Sequence, residues 1–96
     1  MPKDLILAID MGTQSVRALA FDLAGALHGK AQLPLTGYSS PQPGWMEHDA
    51  GQFWAALCQA CRQLWDSGID PARLAGLVVT TQRAPVVTLD AAGQPL

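Results

Sequence analysis

Leu5-Ile6-Leu7-Ala8-Ile9-Asp10-Met11-Gly12-Thr13-Gln14-Ser15-Val16-Arg17 is the stretch that decides the fold. Leu5 to Ile9 is apolar at odd and even positions alike and partly β-branched, which predicts a central strand buried on both faces. The strand ends at Asp10, and Met11 to Ser15 makes a tight polar turn. Val16 to Asp22 then returns as a second extended run, with only Arg17 charged before Asp22. Leu23-Ala24-Gly25 breaks that run. From Leu27 onward, Leu27, Gly29, Ala31 and Leu33 alternate with His28, Lys30 and Gln32, the period-2 pattern of a strand with one wet face. Three runs joined by short turns predict an antiparallel meander.

Beyond the meander, Pro34 to Gly44 reads as a loop, rich in proline and glycine. Asp49 can cap a helix start, and Gln52 three residues on can reach back to it. Phe53, Trp54, Leu57, Cys58, Cys61, Leu64 and Trp65 recur at three- and four-residue steps, a stripe expected to lie on the sheet as core. Gly68 is the expected stop, and Asp70-Pro71 can open one short helical turn. Leu77 to Thr81 predicts a second buried strand, parallel to the first. Val86 to Leu89 predicts a further strand, and Asp90-Ala91-Ala92-Gly93 a turn. Strands, helix and strands in this order predict an α/β fold that begins a ribonuclease-H-like sheet. No later helices follow to cover its second face.

Composition bounds the function. The 96 residues carry six basic and eight acidic side chains, a net charge of −2, far from the basic balance of a nucleic-acid binder. A hydrophobic share of 49% argues against disorder. The charged share of 15% is below the usual level of about 25%, as expected of a piece covered by further protein. No apolar run reaches the roughly 18 residues of a membrane span, and no secretion signal opens the chain. With two cysteines and no export signal, a reducing cytoplasm is the expected setting.

The turn after the first strand carries the chemistry. Gly12 permits a positive φ or a close backbone approach to a ligand. Successive amides in such a turn form an anion-binding concavity, Thr13 and Ser15 add hydroxyls, and Arg17 adds a guanidinium suited to phosphate. Asp10, at the strand end, can hold a hydrated Mg²⁺ facing the phosphates. These are the parts phosphoryl transfer requires. On the residues alone, an ordinary hairpin in which Asp10 and Thr13 satisfy backbone groups stays open. No G-x-x-x-x-G-K-[ST] phosphate loop is present. Cys58 and Cys61 have metal or redox spacing, but both lie on the apolar stripe with no second pair, and are expected to pack. His28 falls on the wet side of its strand. Trp45 is expected to pack in its loop.

Ile9 to Arg17 resembles the first phosphate motif of the FGGY carbohydrate kinases, within the actin/hexokinase/sugar-kinase superfamily. Pro43-Gly44-Trp45-Met46-Glu47-His48-Asp49 resembles that family's loop before its first helix. Gly76 to Arg83 resembles the strand carrying its first sugar-contacting residues, and Leu89 to Leu96 resembles the hairpin that follows. The resemblance implies ATP-dependent phosphorylation of a sugar or polyol hydroxyl. Residues 1–96 would then be the amino-terminal portion of the first domain, without the second, nucleotide-binding domain. Asp10 would hold Mg²⁺ through water and Arg17 would neutralise the transferring group. Gly12, Thr13, Gln14 and Ser15 would line the phosphates, and Gln82 and Arg83 would bind the substrate. Glycerol kinases of the family carry glutamate after that arginine and xylulokinases carry methionine-histidine after the glutamine. Here Ala84 and Pro85 follow Arg83, which matches neither pattern. The family's general base is an aspartate of a later segment, so the 96 residues alone are expected to be inactive. Two other expectations stand beside this one: an Hsp70-like ATPase of the same superfamily, and a binding or structural fragment that forms a homodimer through its uncovered sheet.

Overall fold

The computed structural model describes residues 2–35, 39–45, 47–81 and 86–96. Strands β1 (Leu5–Met11), β2 (Ser15–Asp22) and β3 (Leu27–Pro34) form the expected meander. Helix α1 (Ala50–Asp66) and a single 3₁₀ turn (Pro71–Arg73) lead to β4 (Leu74–Thr81). The sheet order is β3-β2-β1-β4, with both meander pairs antiparallel and β4 parallel to β1. β1 runs past Asp10 to Met11 and β2 begins at Ser15, so the polar turn shrinks to Gly12, Thr13 and Gln14.

Alternation sets the two faces. Leu5, Leu7 and Ile9 of β1 are buried with Val16, Ala18 and Ala20 of β2 and Ala31 of β3, and α1 packs against β2 and β3. The contact is made by small residues. Ala56, Ala60 and Leu64 are the buried residues of the helix, and they meet a sheet surface of alanines and Gly29. A Cβ on Gly29 would lie 3.0 Å from Ile69 Cγ1 and 3.1 Å from Leu64 Cδ1, so the bare backbone there lets the helix end settle onto β3.

The predicted stripe is therefore only partly right. Trp54 is 68% exposed, and Cys58 and Cys61 are half-buried free thiols. Burial pushes the Cys61 thiol upward, aided by neighbouring Cys58. The alanines that define the true contact face weigh little in a pattern of large apolar residues. Both helix ends follow the sequence signals. Asp49 Oδ1 accepts from the Gly51 amide at 2.8 Å. At the other end Gly68, at φ 116°, and Ile69 donate back to the Trp65 and Leu64 carbonyls. Ile69 is buried in the same apolar cluster as Leu64, completing a Schellman stop.

Two expectations fail at the free side of the sheet. β4 is an edge strand: Leu77 and Val79 are 63% and 51% exposed because α1 lies over β2 and β3, and Val78, 48% exposed, is on the face opposite the helix. Val86 to Leu89 forms no strand. It contributes one isolated bridge, Leu89 to Pro95, to a hairpin closed by Asp90. Asp90 Oδ1 accepts from the Ala92 and Gln94 amides, both at 2.9 Å. The same turn joins β2 to β3, where Asp22 Oδ1 accepts from Ala24 and Ala26, both at 2.9 Å. His28 is exposed there as expected and pairs with Asp22 Oδ2 at 2.9 Å. Trp45 is 51% exposed rather than packed. Among the described residues no helix is long and apolar enough to cross a membrane.

Candidate phosphate and metal site

Register brings three side chains together on the sheet face opposite α1. Asp10 of β1 stands directly across from Arg17 of β2 and from Thr80 of β4. Arg17 Nη2 donates to Asp10 Oδ2. Thr80 Oγ1 donates to Asp10 Oδ1 at 3.2 Å, with the Ile9 carbonyl a more distant acceptor at 3.4 Å. The Arg17 hydrogen bond, with help from Thr80, holds the Asp10 carboxyl below its ordinary 3.8 against a smaller opposing effect of desolvation. Asp10 is thus an anion, fixed by one neighbour on each flanking strand.

The turn beside it is braced from two sides. The Gly12 amide donates to the Ser15 carbonyl at 2.9 Å, and the Leu35 amide donates to the Gln14 carbonyl at 2.7 Å. Leu35 is buried, so the end of β3 anchors the turn in the core. Gln32 Nε2 donates to Ser15 Oγ at 3.2 Å. Gly12 does not use a positive φ. Its need is for space, since a Cβ there would lie 3.2 Å from the Ser15 carbonyl oxygen. The Gly12 amide is committed to that carbonyl, which leaves Thr13 and Gln14 as the amide donors that point to no partner among the described residues. Both residues are exposed. The part of the turn with open amides is accordingly narrower than its sequence suggests.

Asp10 is the residue that could hold a hydrated magnesium ion. Among the described residues no three His, Cys, Asp or Glu side chains cluster into a cage. A single fixed carboxylate beside open amides fits a cation that keeps most of its water and shares its remaining ligands with phosphate. Gln82 and Arg83 lie outside the described residues. Thr80 is the site residue that sequence reasoning missed; the parallel pairing of β4 with β1 was the signal that could have found it.

The family model described as "FGGY family of carbohydrate kinases, N-terminal domain" matches residues 5–96. The chain belongs to the FGGY family of carbohydrate kinases. It is 41% identical over 95 residues to the glycerol kinase of Bordetella pertussis, covering 97% of this chain and 18% of that protein. It is 43% identical over 91 residues to the glycerol kinase of Halorhodospira halophila, covering 94% of this chain and 18% of that protein. Its fold superimposes on the xylulose kinase of Rhodospirillum rubrum with a TM-score of 0.87 at 32% identity, over 96% of this chain and 19% of that one. The chain thus spans about one fifth of the length of the FGGY kinases it matches, and its sheet is the opening part of their actin-like ATPase fold. These matches set aside the Hsp70-like reading.

Proposed function

We propose that this segment forms the phosphate-gripping corner of a kinase that transfers the γ-phosphoryl group of ATP to a sugar or polyol hydroxyl. The observation that carries the proposal is the Asp10 carboxylate, held ionised between Arg17 and Thr80 next to the open amides of Thr13 and Gln14. A magnesium ion held at Asp10 through water would draw charge from the transferring group and orient it. Arg17 would exchange part of its bond with Asp10 for one to a phosphate oxygen, to which a guanidinium fork donates readily. Thr13 and Gln14 would donate to the phosphates, with Gly12 and Ser15 keeping the turn narrow enough to do so. Gln82 and Arg83 follow directly on β4 in sequence, and we assign them to the acceptor hydroxyls.

The acceptor is proposed only as a class. The curated relatives above are glycerol kinases and the structural relative is a xylulose kinase, while Ala84 and Pro85 follow neither pattern. We propose a cytoplasmic setting, in which Cys58 and Cys61 would stay reduced. The 96 residues alone should not turn over, because the proton acceptor for the attacking hydroxyl is assigned to a later segment. The test is a panel of sugars and polyols offered to the full-length enzyme with MgATP. The proposal expects acceptor-dependent ADP release that Asp10→Ala abolishes while acceptor binding persists. Full turnover in Asp10→Ala would refute it.

A further inference from the structure

Thr80 is assigned no role by the motifs that define the site, yet it is the third member of the Asp10 cluster. Its hydroxyl hydrogen can serve one strong acceptor, and the two within reach differ in kind. Asp10 Oδ1, at 3.2 Å, is anionic and the nearer of the two; the Ile9 carbonyl, at 3.4 Å, is neutral. Arg17 already occupies the other carboxylate oxygen. A carboxylate gripped on Oδ2 alone can still turn about its Cβ–Cγ bond; a second donor on Oδ1, from the opposite flanking strand, fixes the carboxylate plane. The parallel register Asp10↔Thr80 places this donor on the same sheet face as the acid.

We propose that Thr80 is a positioning residue for phosphoryl transfer: its hydroxyl sets the orientation of the Asp10 carboxylate that receives the hydrated metal. The inference rests on the assignment of Asp10 above and deepens it. Thr80 stands two residues before Gln82, so the strand that leads into the acceptor-binding residues also orients the acid on the phosphate side.

Partners that orient a metal-holding group typically change metal affinity or activity by about 10–100-fold when removed, and an exposed hydroxyl belongs at the lower end of that range. The test uses the full-length kinase in wild-type, Thr80→Val, Thr80→Ser and Asp10→Asn forms. Valine keeps the shape and suits a strand, so loss of folding is not the readout. Mn²⁺ affinity in the presence of ADP is measured by electron paramagnetic resonance, alongside kcat, the Mg²⁺ concentration for half-maximal rate and the KM for the acceptor. Thr80→Val should weaken Mn²⁺ binding and raise the Mg²⁺ requirement about tenfold with the acceptor KM unchanged, and Thr80→Ser should restore both. Metal affinity within twofold of wild type in Thr80→Val, with Asp10→Asn impaired, would overturn the role of Thr80 alone. Serine failing to rescue would also overturn it, since a purely structural threonine behaves so. Wild-type metal response in Asp10→Asn would overturn the assignment of Asp10 and this inference with it.

Discussion

Replacing Leu64 and Trp54 separately by alanine tests how α1 sits on the sheet. Leu64 is fully buried against Gly29 and Ile69, whereas Trp54 is 68% exposed. Leu64→Ala removes three carbons from a closed environment. At about 0.8 kcal/mol each the transfer loss is about 2.4 kcal/mol. The cavity left behind raises this further, and buried leucine truncations cost about 2–5 kcal/mol in all. Collapse around the gap is limited on the β3 side, where Gly29 presents bare backbone and Ile69 is the neighbouring side chain left to move in. A cost of about 3–4 kcal/mol follows. Trp54→Ala should fall within about 0.5 kcal/mol of the parent, as substitutions at exposed positions do. Urea unfolding of the chain followed by far-ultraviolet circular dichroism measures both. Equal losses for the two variants would refute this helix orientation and restore the broad stripe read from the sequence.

Gly12→Ala should disturb the turn more than the fold, since its Cβ would meet the Ser15 carbonyl at 3.2 Å. Nucleotide affinity of the full-length kinase should drop severalfold with the unfolding midpoint nearly unchanged; unaltered affinity would show that the turn need not be narrow. Acid should destabilise the chain through Asp4, Asp10 and Asp22. Their carboxyls lie below the ordinary 3.8 because of hydrogen bonds from Arg73, Arg17 and His28 respectively. Depressed values mean that the unfolded chain takes up protons first, so this stabilisation is complete above about pH 5 and is lost as pH falls through 3.8 and the lower folded values. Urea midpoints constant from pH 5 to about 2.5 would contradict the three pairings. Arg83→Ala in the full-length enzyme should raise the acceptor KM more than the ATP KM, and equal rises would make the arginine structural.

Local pattern made much of this fold legible. The meander follows from period-2 alternation in residues 27–33 and from the apolar run at Leu5, and the helix ends follow from Asp49 and Gly68. What the pattern could not carry was neighbourhood. Leu77, Val78 and Val79 read as buried because a continuous apolar run usually is. The exposure of Leu77 and Val79 depends on where α1 lies, and that is set by alanines on β2 and β3 together with Gly29 of β3. Val86 to Leu89 has strand composition but gains only the single bridge from Leu89 to Pro95 among the described residues, and pairing is a property of two segments. The site divides in the same way. Asp10, Arg17 and the turn were readable because they are contiguous. Thr80 was not, because a separation of seventy residues vanishes only once β4 is laid in register on β1.

The central claim is that Asp10 and the turn after β1 hold magnesium and the phosphates of a nucleotide. A crystal structure of the full-length kinase with Mg²⁺ and a non-hydrolysable ATP analogue tests it most directly. The account predicts a metal-bound water on the Asp10 carboxylate and phosphate oxygens on the Thr13 and Gln14 amides, with Arg17 turned toward the terminal phosphate. A triphosphate bound elsewhere, with the Asp10–Arg17 pair unchanged, would contradict it.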